Sequence, residues 1–310
     1  MIPYPKRYYD FNTYLRNTFG CRVQKITIDA GFTCPNRDGS LSKKGCVYCN
    51  ARGSGTGAFH KGHSISAQIE LSRQRLAKRY KAKKFIAYFQ SFTNTYAPIE
   101  ILKKAYEEAL AAQDIVGLSI GTRPDCVDAP VLDLLQEYAA HHLIWIEYGL
   151  QSAHDNTLMT INRGHDVDCF KQAVRVTKNR GIQICAHVIL GLPGESRSHM
   201  LETAEFLADL GIDGLKLHLL YVVQGTVLER WYQAGGYRCL SQDAYVDLVC
   251  DFLERTPQTV IIQRLTGDPH PHELVAPRWS LQKTETLTRI TTRLEERDTW
   301  QGRLTGRGDS

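Results

Sequence analysis

Long hydrophobic runs are missing from this chain of 310 residues. A membrane-spanning helix needs about 20 consecutive apolar residues, and no segment approaches that length. The opening residues, MIPYPKRYYDFNTY, also lack the apolar stretch of a secretion signal, so we expect a cytoplasmic protein. The composition, 43% hydrophobic and 23% charged, is that of an ordinary globular chain and argues against a disordered or fibrous one.

A large excess of positive charge is missing as well. The 38 Lys and Arg residues outnumber the 33 Asp and Glu residues only slightly, giving a net charge of +5, far below that of a protein that coats nucleic acid. One basic run lies between the first two predicted strands, at Arg73, Arg75, Lys78, Arg79, Lys81, Lys83 and Lys84. This run is either a solvated helix face or a contact surface for a polyanion such as RNA.

A disulfide framework is the third absence. The cysteines number nine, an odd count in a chain without an export signal, which favours thiol or metal chemistry over disulfides. Six are scattered singly, but Cys34, Cys46 and Cys49 share the segment FTCPNRDGSLSKKGCVYCN directly after the first predicted strand. Their C-x11-C-x2-C spacing predicts a metal site.

This cysteine segment contains no fourth cysteine. Three thiolates can bind three irons of a [4Fe–4S] cluster and leave the fourth iron open for a ligand. The alternative is a structural zinc ion completed by His60 or His63. The position of the cysteine segment after a predicted strand favours the [4Fe–4S] cluster over structural zinc, because parallel barrels carry their reactive groups at the carboxyl ends of their strands.

Short β-rich runs alternate with amphipathic helical stretches at a spacing of about 30 residues. The six predicted strands are residues 23–29, 85–90, 116–122, 143–150, 183–192 and 214–222. Two of the intervening helices are expected to end at Gly181 and Gly211 as C-caps. Six consecutive βα units predict a parallel sheet, closed as a barrel or left as an open doubly wound sheet.

The pattern changes near residue 236. A helix, a strand (TVIIQRL), a Pro- and His-rich loop (GDPHPHELVAP) and a last helix follow. These residues carry few large apolar clusters, so we expect an extension packed on the core rather than a second domain. The predicted organisation is an N-terminal segment at 1–20, a core barrel at 21–235, a C-terminal extension at 236–300 and a flexible tail at 301–310.

Five segments, in order and at βα spacing, resemble the radical S-adenosylmethionine (radical SAM) superfamily. The resemblance lies within its Elp3-like branch and is closest to the YhcC/YtqA-type bacterial proteins. The segments are the cysteine segment, IGTRPDCV at 120–127, IEYGLQSAHDNTLMTINRGH at 146–165, HVILGLPGES at 187–196 and LKLHLLYVVQGT at 215–226. The resemblance implies an α/β fold, a partial (β/α)6-type radical SAM barrel with a C-terminal α/β extension.

The resemblance also implies cofactors and a reaction. A [4Fe–4S] cluster on Cys34, Cys46 and Cys49 would bind S-adenosylmethionine (SAM) and cleave it reductively to methionine and a 5′-deoxyadenosyl radical, which abstracts a substrate hydrogen. The electron would come from a donor such as flavodoxin or ferredoxin. The branch is associated with wobble-uridine chemistry, so transfer RNA is the implied substrate. A small molecule or cofactor precursor is an alternative substrate, and a non-catalytic, zinc-stabilised RNA-binding protein is the alternative function.

Seven residues match family positions that contact SAM. Those on the adenine side are Tyr48, Ile189, Gly191 and Leu192. Those near the ribose or the carboxylate are Gln151, His187 and Arg163. Strand alternation supports Gln151, which shares a face with Glu147 and Gly149 at the strand's end. An arginine at position 163 suits a planar carboxylate.

Two segments depart from the family pattern. Relatives have a glycine-rich segment that contacts the SAM amino group, whereas this chain has FQSFTNT at the same place. The contact with the amino group would therefore fall to Gln90, Ser91 and Thr93. Where Elp3-like proteins tend to carry glutamate, Gly121 precedes Thr122-Arg123-Pro124-Asp125, which removes an expected ribose contact. The acetyltransferase domain of Elp3 is absent, so acetyl transfer is not implied.

Polar residues on the sixth strand and in the Pro- and His-rich loop are further candidates. Lys216 and His218 would face the barrel interior, where they contact SAM or substrate unless Lys216 forms an internal salt bridge with Glu147. The loop is expected to be a polar lid facing the substrate, with a second metal site as the alternative. Its candidate side chains are His270, His272 and Glu273.

Overall fold

The computed structural model describes residues 4, 6–50, 53 and 58–305. Its strands are β1 (Val23–Ile28), β2 (Lys84–Phe89), β3 (Ile115–Thr122), β4 (Leu143–Gln151), β5 (Gln183–Leu190), β6 (Gly214–Leu219), β7 (Val222–Val223), β8 (Ile261–Arg264) and β9 (Leu274–Ala276). Seven of them pair in parallel in the order β1-β2-β3-β4-β5-β6-β8. In this described sheet β1 and β8 do not pair, so the barrel is partial and open, as predicted.

Eleven α-helices accompany these strands in the described part of the chain. They are α1 (Phe11–Phe19), α2 (Pro35–Asp38), α3 (Ile65–Tyr80), α4 (Ile99–Leu110), α5 (Ala129–Ala139), α6 (Asp155–Thr160), α7 (Val167–Thr177), α8 (Arg197–Leu210), α9 (Val227–Gln233), α10 (Gln242–Arg255) and α11 (Lys283–Glu296). Short 3₁₀ turns lie at Phe59–Lys61, Pro124–Cys126 and Arg278–Leu281. No helix in the described part of the chain is long and apolar enough to cross a membrane.

Capping residues set the helix ends. The side chains of Asp166 and Ser196 accept backbone N–H groups at the starts of α7 and α8. Gly211, with φ 68°, ends α8 as predicted. The prediction for Gly181 is wrong, because Lys178 already caps α7 and Gly181 turns the chain only afterwards.

Residue alternation along each strand separates core from site. On β1, Ile26 and Ile28 pack into the main apolar cluster, whereas Thr27 lines the interior cavity described below. On β4, Ile146 and Tyr148 pack outward in the same way. The inner face of the half-barrel is therefore polar and available for chemistry.

The N-terminal segment closes the amino end of the barrel. Trp145, near the start of β4, packs edge-on against Phe11 and Tyr14 of α1, with ring centroids 5.9 Å apart in each pair. The backbone of Asp10 also bridges to Ile262 of β8. The interior is consequently reached from the carboxyl ends of the strands.

The C-terminal extension shares the core of the barrel. Phe252, Leu253, Ile290 and Leu294 belong to the same buried cluster as the strands and their covering helices. The expectation of few large apolar clusters beyond residue 236 is therefore wrong. Periodicity reveals an amphipathic helix such as α10, but not the surface of α8 and α11 against which it packs.

The predicted flexible tail begins too early at residue 301. Gln301 is only 1% exposed. Its side chain accepts from the Tyr9 N–H (2.8 Å) and donates to the carbonyls of Pro257 (2.6 Å) and Val260 (2.7 Å). Residues 306–310 of that predicted tail lie outside the described residues.

Candidate active site

A cavity of about 950 Å³ opens at the carboxyl ends of the parallel strands. Its walls are the inner faces of the strands, the loops that follow β1 to β4, and the Pro- and His-rich loop after β8. This is the edge where parallel α/β barrels carry their reactive groups.

Side-chain amides fix the cysteine segment on one side of this cavity. Asn36 Nδ2 donates to the Asn162 carbonyl (2.6 Å) and lies 3.6 Å from Cys46 Sγ. Asn162 Nδ2 donates in turn to the Gly45 carbonyl (2.6 Å). Gly45 has φ 69°, a left-handed conformation that suits glycine and lets the loop reverse just before Cys46.

The three predicted ligands, Cys34, Cys46 and Cys49, all line the cavity. Burial raises the pKa of the Cys49 thiol to about 11, and Cys46 and Cys34 act in the same direction. Among the described residues, no three His, Cys, Asp or Glu side chains converge closely enough to hold one metal ion. A [4Fe–4S] cluster binds each thiolate to a different iron, so its ligands surround it and do not need to meet at one point. The thiols therefore fit a cluster better than a tetrahedral zinc ion.

The end of β2 carries buried polar atoms without partners. Ser91 and Phe92 have φ values of 148° and 60°, which residues other than glycine rarely adopt and which cluster at functional sites. The atoms Ser91 Oγ, Thr93 Oγ1 and Asn94 Oδ1 are buried and have no hydrogen-bond partner in the described structure. Buried polar atoms normally have partners, so this wall fits a polar ligand.

The end of β4 forms a cradle beside the cysteine segment. The Gly149 carbonyl accepts from Arg163 Nη2 (2.8 Å), and Arg163 Nη1 lies 3.8 Å from Cys46 Sγ. Gln151 has φ 75°, where β4 shifts register against β5. A Cβ atom on Gly149 would come within 2.5 Å of both Arg163 Nη2 and Gln151 Nε2. Glycine at 149 is thus required for both side chains to reach the cavity.

Arg123 is a site residue that the sequence reasoning missed. It is 2% exposed, and its Nε and Nη2 donate to Asp125 Oδ1 (2.8 Å) and Oδ2 (2.7 Å). Its Nη1 donates to the Arg163 carbonyl (2.8 Å). Burial opposes ionisation of Asp125, but Arg123 holds the pKa of that carboxyl below its usual range. The spacing in Thr-Arg-Pro-Asp could have indicated this bidentate pair.

A buried carboxylate organises the cavity floor. Glu147 is 0% exposed and accepts hydrogen bonds from Lys25 Nζ (2.6 Å), Ser119 Oγ, His187 Nε2 (2.7 Å) and Lys216 Nζ. An ionised carboxylate only accepts, so the hydrogen of the neutral His187 ring is on Nε2. All four groups come from different strands, which explains why no sequence motif contains them.

The charges on this floor are not balanced. Burial alone would raise the pKa of Glu147, but Lys216, Lys25 and His187 hold it well below its usual range. Burial lowers the pKa of Lys216 to about 7, although Glu147 acts in the opposite direction. Burial also lowers the pKa of His187 to about 4. One carboxylate therefore faces two lysines, and the floor favours a further negative group.

Three predicted SAM contacts do not line the cavity. Lys216 forms the internal salt bridge with Glu147 that was predicted as the alternative to a SAM contact. The Gly191 carbonyl accepts from the Tyr237 hydroxyl (2.9 Å), and Leu192 is buried in a separate apolar cluster, so packing against these groups occupies both residues. The predicted residues that do line the cavity are Tyr48, Gln90, Ser91, Thr93, Gln151, Arg163, His187, Ile189 and His218.

The Pro- and His-rich loop forms part of the cavity wall. His270 and Glu273 line the cavity, whereas His272 does not. Asn50 Nδ2, one residue after Cys49, donates to Glu273 Oε2 (2.8 Å) and ties this loop to the cysteine segment. The loop therefore contacts the cysteine segment at the cavity wall, and its role as a lid stays a prediction.

The basic run lies at the other end of the barrel. Helix α3 ends at Tyr80 and β2 begins at Lys84, so Lys78, Arg79 and Lys83 sit near the amino end of that strand. Six strand residues separate this end from the cavity edge, a distance of about 20 Å. The basic run does not frame the cavity.

Comparison with known proteins gives consistent matches. Residues 34–207 match the Radical SAM superfamily, and residues 212–296 match the Radical SAM C-terminal domain. The chain is 44% identical over 299 residues to the uncharacterized protein YtqA of Bacillus subtilis (strain 168), covering 96% of this chain and 93% of that protein.

Two further matches concern the Elp3-like branch. A tRNA uridine(34) acetyltransferase of Dehalococcoides mccartyi (strain CBDB1) is 30% identical over 156 residues, which cover 49% of this chain and 33% of that protein. The structure of the archaeal Methanocaldococcus infernus Elp3 with an N-terminal deletion superimposes with a TM-score of 0.70 at 17% identity. It covers 90% of this chain and 64% of that one, and it supports the fold alone.

Proposed function

The chain belongs to the radical SAM superfamily and is a radical SAM enzyme, and from this premise we propose the reaction of its cavity. A [4Fe–4S] cluster on Cys34, Cys46 and Cys49 would supply the electron that cleaves SAM to methionine and a 5′-deoxyadenosyl radical, which abstracts a substrate hydrogen. The observation that carries the proposal is the shared cavity wall of three thiols and three unpartnered buried polar atoms.

The residues around the thiols can orient SAM. We assign the SAM carboxylate to Arg163, whose guanidinium is held beside Cys46 by the Gly149 carbonyl. Ser91 and Thr93 have free acceptor oxygens for the amino group. Gln151 and His187 would contact the ribose, and Tyr48 and Ile189 the adenine, since all four line the same cavity.

The floor and the lid would protect the radical. Trp145 and α1 seal the amino end, and the Asn50–Glu273 hydrogen bond joins the lid to the cysteine segment. Excluding water and oxygen from a reactive intermediate is the protein's part in cofactor chemistry of this kind.

Anaerobic reconstitution with iron and sulfide tests the proposal. We expect the wild-type protein to show a broad absorption band at about 400 nm and a reduced-cluster paramagnetic signal, and to form 5′-deoxyadenosine when SAM and dithionite are added. Cys46→Ala should abolish both the cluster and the product. Cys21→Ala is the matched control, because Cys21 lies before β1 and outside the cavity wall, and it should retain both. Stoichiometric zinc with no 5′-deoxyadenosine from the wild type would overturn the proposal in favour of the zinc-stabilised alternative.

For the substrate class we propose transfer RNA, modified at the wobble uridine. The support is the identity with a tRNA uridine(34) acetyltransferase across half of this chain. The basic run does not add to it, because it lies about 20 Å from the cavity edge. Modified nucleosides from transfer RNA should therefore differ between wild-type and deletion cells, and Cys46→Ala should fail to restore them. Unchanged nucleosides with an altered small-molecule pool would exclude transfer RNA and support the small-molecule alternative.

We propose further that flavodoxin or ferredoxin delivers the electron in the cytoplasm. All nine cysteines are free thiols, as a reducing compartment requires. Each reduced donor should replace dithionite in forming 5′-deoxyadenosine; failure of both would contradict this assignment.

A further inference from the structure

Four arginines line the cavity, and one of them has no partner. Arg123 is paired with Asp125, Arg163 donates to the Gly149 carbonyl, and Arg37 donates to the Cys49 carbonyl (3.4 Å). Arg264, the last residue of β8, is half-buried, and its side chain has no hydrogen bond or ion pair to any described residue. This guanidinium is open to the cavity and has no ion-pair partner among the described residues, so it points to an anionic ligand.

A second unpartnered group lies beside it. His218 is on β6, the strand that pairs with β8, and lines the same cavity. Its Nε2 atom is buried without a hydrogen-bond partner in the described part of the molecule. Burial, followed by nearby Arg264 and His187, holds the pKa of His218 well below its usual range, so the ring is neutral and has one N–H to donate.

The charges below these two residues favour an anion. Lys25 and Lys216 lie on the floor, and the one carboxylate there, Glu147, is committed to four donors. The acidic side chains of the lid are engaged elsewhere: Asp268 pairs with Lys283 (3.0 Å), and Glu273 accepts from Asn50. Arg264 therefore faces the cavity with its positive charge unmatched.

Topology separates Arg264 from the thiols, although His187, a proposed ribose contact, lies beside His218 with ring centroids 5.4 Å apart. The cysteine segment follows β1, at one edge of the seven-stranded sheet, whereas Arg264 ends β8 at the other edge. The open half-barrel brings both edges to one cavity. A ligand group at Arg264 would thus lie across the cavity from the thiols.

We propose that Arg264 and His218 form a subsite for an oxyanion of the substrate, a carboxylate or a phosphate. The planar guanidinium can donate two parallel hydrogen bonds to such a group, and the His218 ring can donate a third. The subsite would anchor the substrate by its charged end and turn the rest toward the radical. This inference rests on the proposed function for the identity of the ligand as a substrate, but the anion site itself can be tested without turnover.

Calorimetric titration of the cluster-loaded, SAM-saturated protein tests the subsite. Inorganic phosphate and acetate are the two probes, and the one that binds more tightly identifies the class of oxyanion. Arg264→Gln should weaken the better probe by about tenfold to a hundredfold, the usual value of hydrogen bonds to a charged group. Arg22→Gln is the matched control, because Arg22 is also half-buried without an ion pair but lies at the amino end of the barrel. The Arg22→Gln variant should bind the better probe with the same affinity as the wild type.

Two outcomes would overturn the subsite. They are the absence of binding of either probe to the SAM-saturated wild type and equal binding of the better probe to Arg264→Gln. If Arg264→Gln does not fold, wild-type crystals soaked in tungstate test the subsite instead. Anomalous density beside the Arg264 guanidinium would support the subsite, and the absence of such density would contradict it. Failure of the wild type to form 5′-deoxyadenosine would instead contradict the proposed function. The result of the anion titration would still apply to the subsite, because it does not depend on turnover.

Discussion

Replacement of the buried carboxylate on the cavity floor should destabilise the protein severely. In Glu147→Gln the four donors remain, but the charge that pairs Lys25 and Lys216 is gone. Breaking a buried ion pair by removing one partner costs about 3–5 kcal/mol. A domain is stable by only about 5–15 kcal/mol in total, so a large share of the folding free energy would be lost.

The pH dependence of this loss has a definite sign. The pKa of Lys216 is lowered to about 7 in the folded state, against about 10.4 for an unfolded chain. Between these two values the unfolded state binds more protons, so this lysine makes the protein more stable as the pH rises. Without Glu147 the folded-state pKa of Lys216 falls further, so the free energy of unfolding begins to increase with pH at a lower pH than in the wild type. Glu147→Gln should therefore be closest to the wild type in alkaline solution.

Urea denaturation of four proteins measures the effect. The wild type, Glu147→Gln, Lys216→Met and the double variant form a cycle, measured from about pH 6 to about pH 9. The double variant should lose less stability than the sum of the single variants, because Lys216, the more deeply buried of the two lysines that pair with Glu147, is then absent and only Lys25 is left without its partner. Glu205→Gln, which removes an exposed partner of Arg255, is the control and should change stability by less than about 1 kcal/mol. A loss below about 1 kcal/mol for Glu147→Gln, or strict additivity in the cycle, would refute the reasoning.

Three other variants test separate parts of the structure. Gly149→Ala should weaken SAM binding by about tenfold or more in equilibrium dialysis, because its Cβ displaces Arg163 and Gln151; unchanged affinity would contradict the cradle. Arg123→Lys should lower the free energy of unfolding by about 2–3 kcal/mol, since lysine cannot bond Asp125 and the Arg163 carbonyl together; a loss within the error of urea melts would contradict it. Gln301→Ala should cost about 1–3 kcal/mol through three lost hydrogen bonds; an unchanged melting temperature would show that the chain is frayed there after all.

Local patterns predicted the architecture well. The alternation of apolar runs and amphipathic stretches indicated the six parallel strands, and the cysteine spacing placed three thiols after the first of them. Both signals are local, because the alternation of residues along a strand and the spacing of cysteines in a loop each depend only on residues close together in the sequence. The position of the thiols at the carboxyl edge then follows from the topology of parallel sheets.

Contacts between distant strands could not be read in the same way. The charge of Lys216 is balanced by Glu147, 69 positions earlier, and no periodicity reveals such a pair. Arg264 was assigned to an extension, because a strand following a helix and a long gap gives no indication of which sheet it joins. Alternation predicted that Gln151 faces the cavity, and it does, but through a local shift in register with positive φ rather than regular strand geometry.

Mössbauer spectroscopy of the protein reconstituted with iron-57 tests the central claim most directly. If three cysteines hold a [4Fe–4S] cluster with one open iron, adding SAM should change the isomer shift of one iron site of the cluster and leave the others unchanged. Spectra that are identical with and without SAM, although the cluster is fully assembled, would contradict the assignment of this cavity as a SAM-cleaving site.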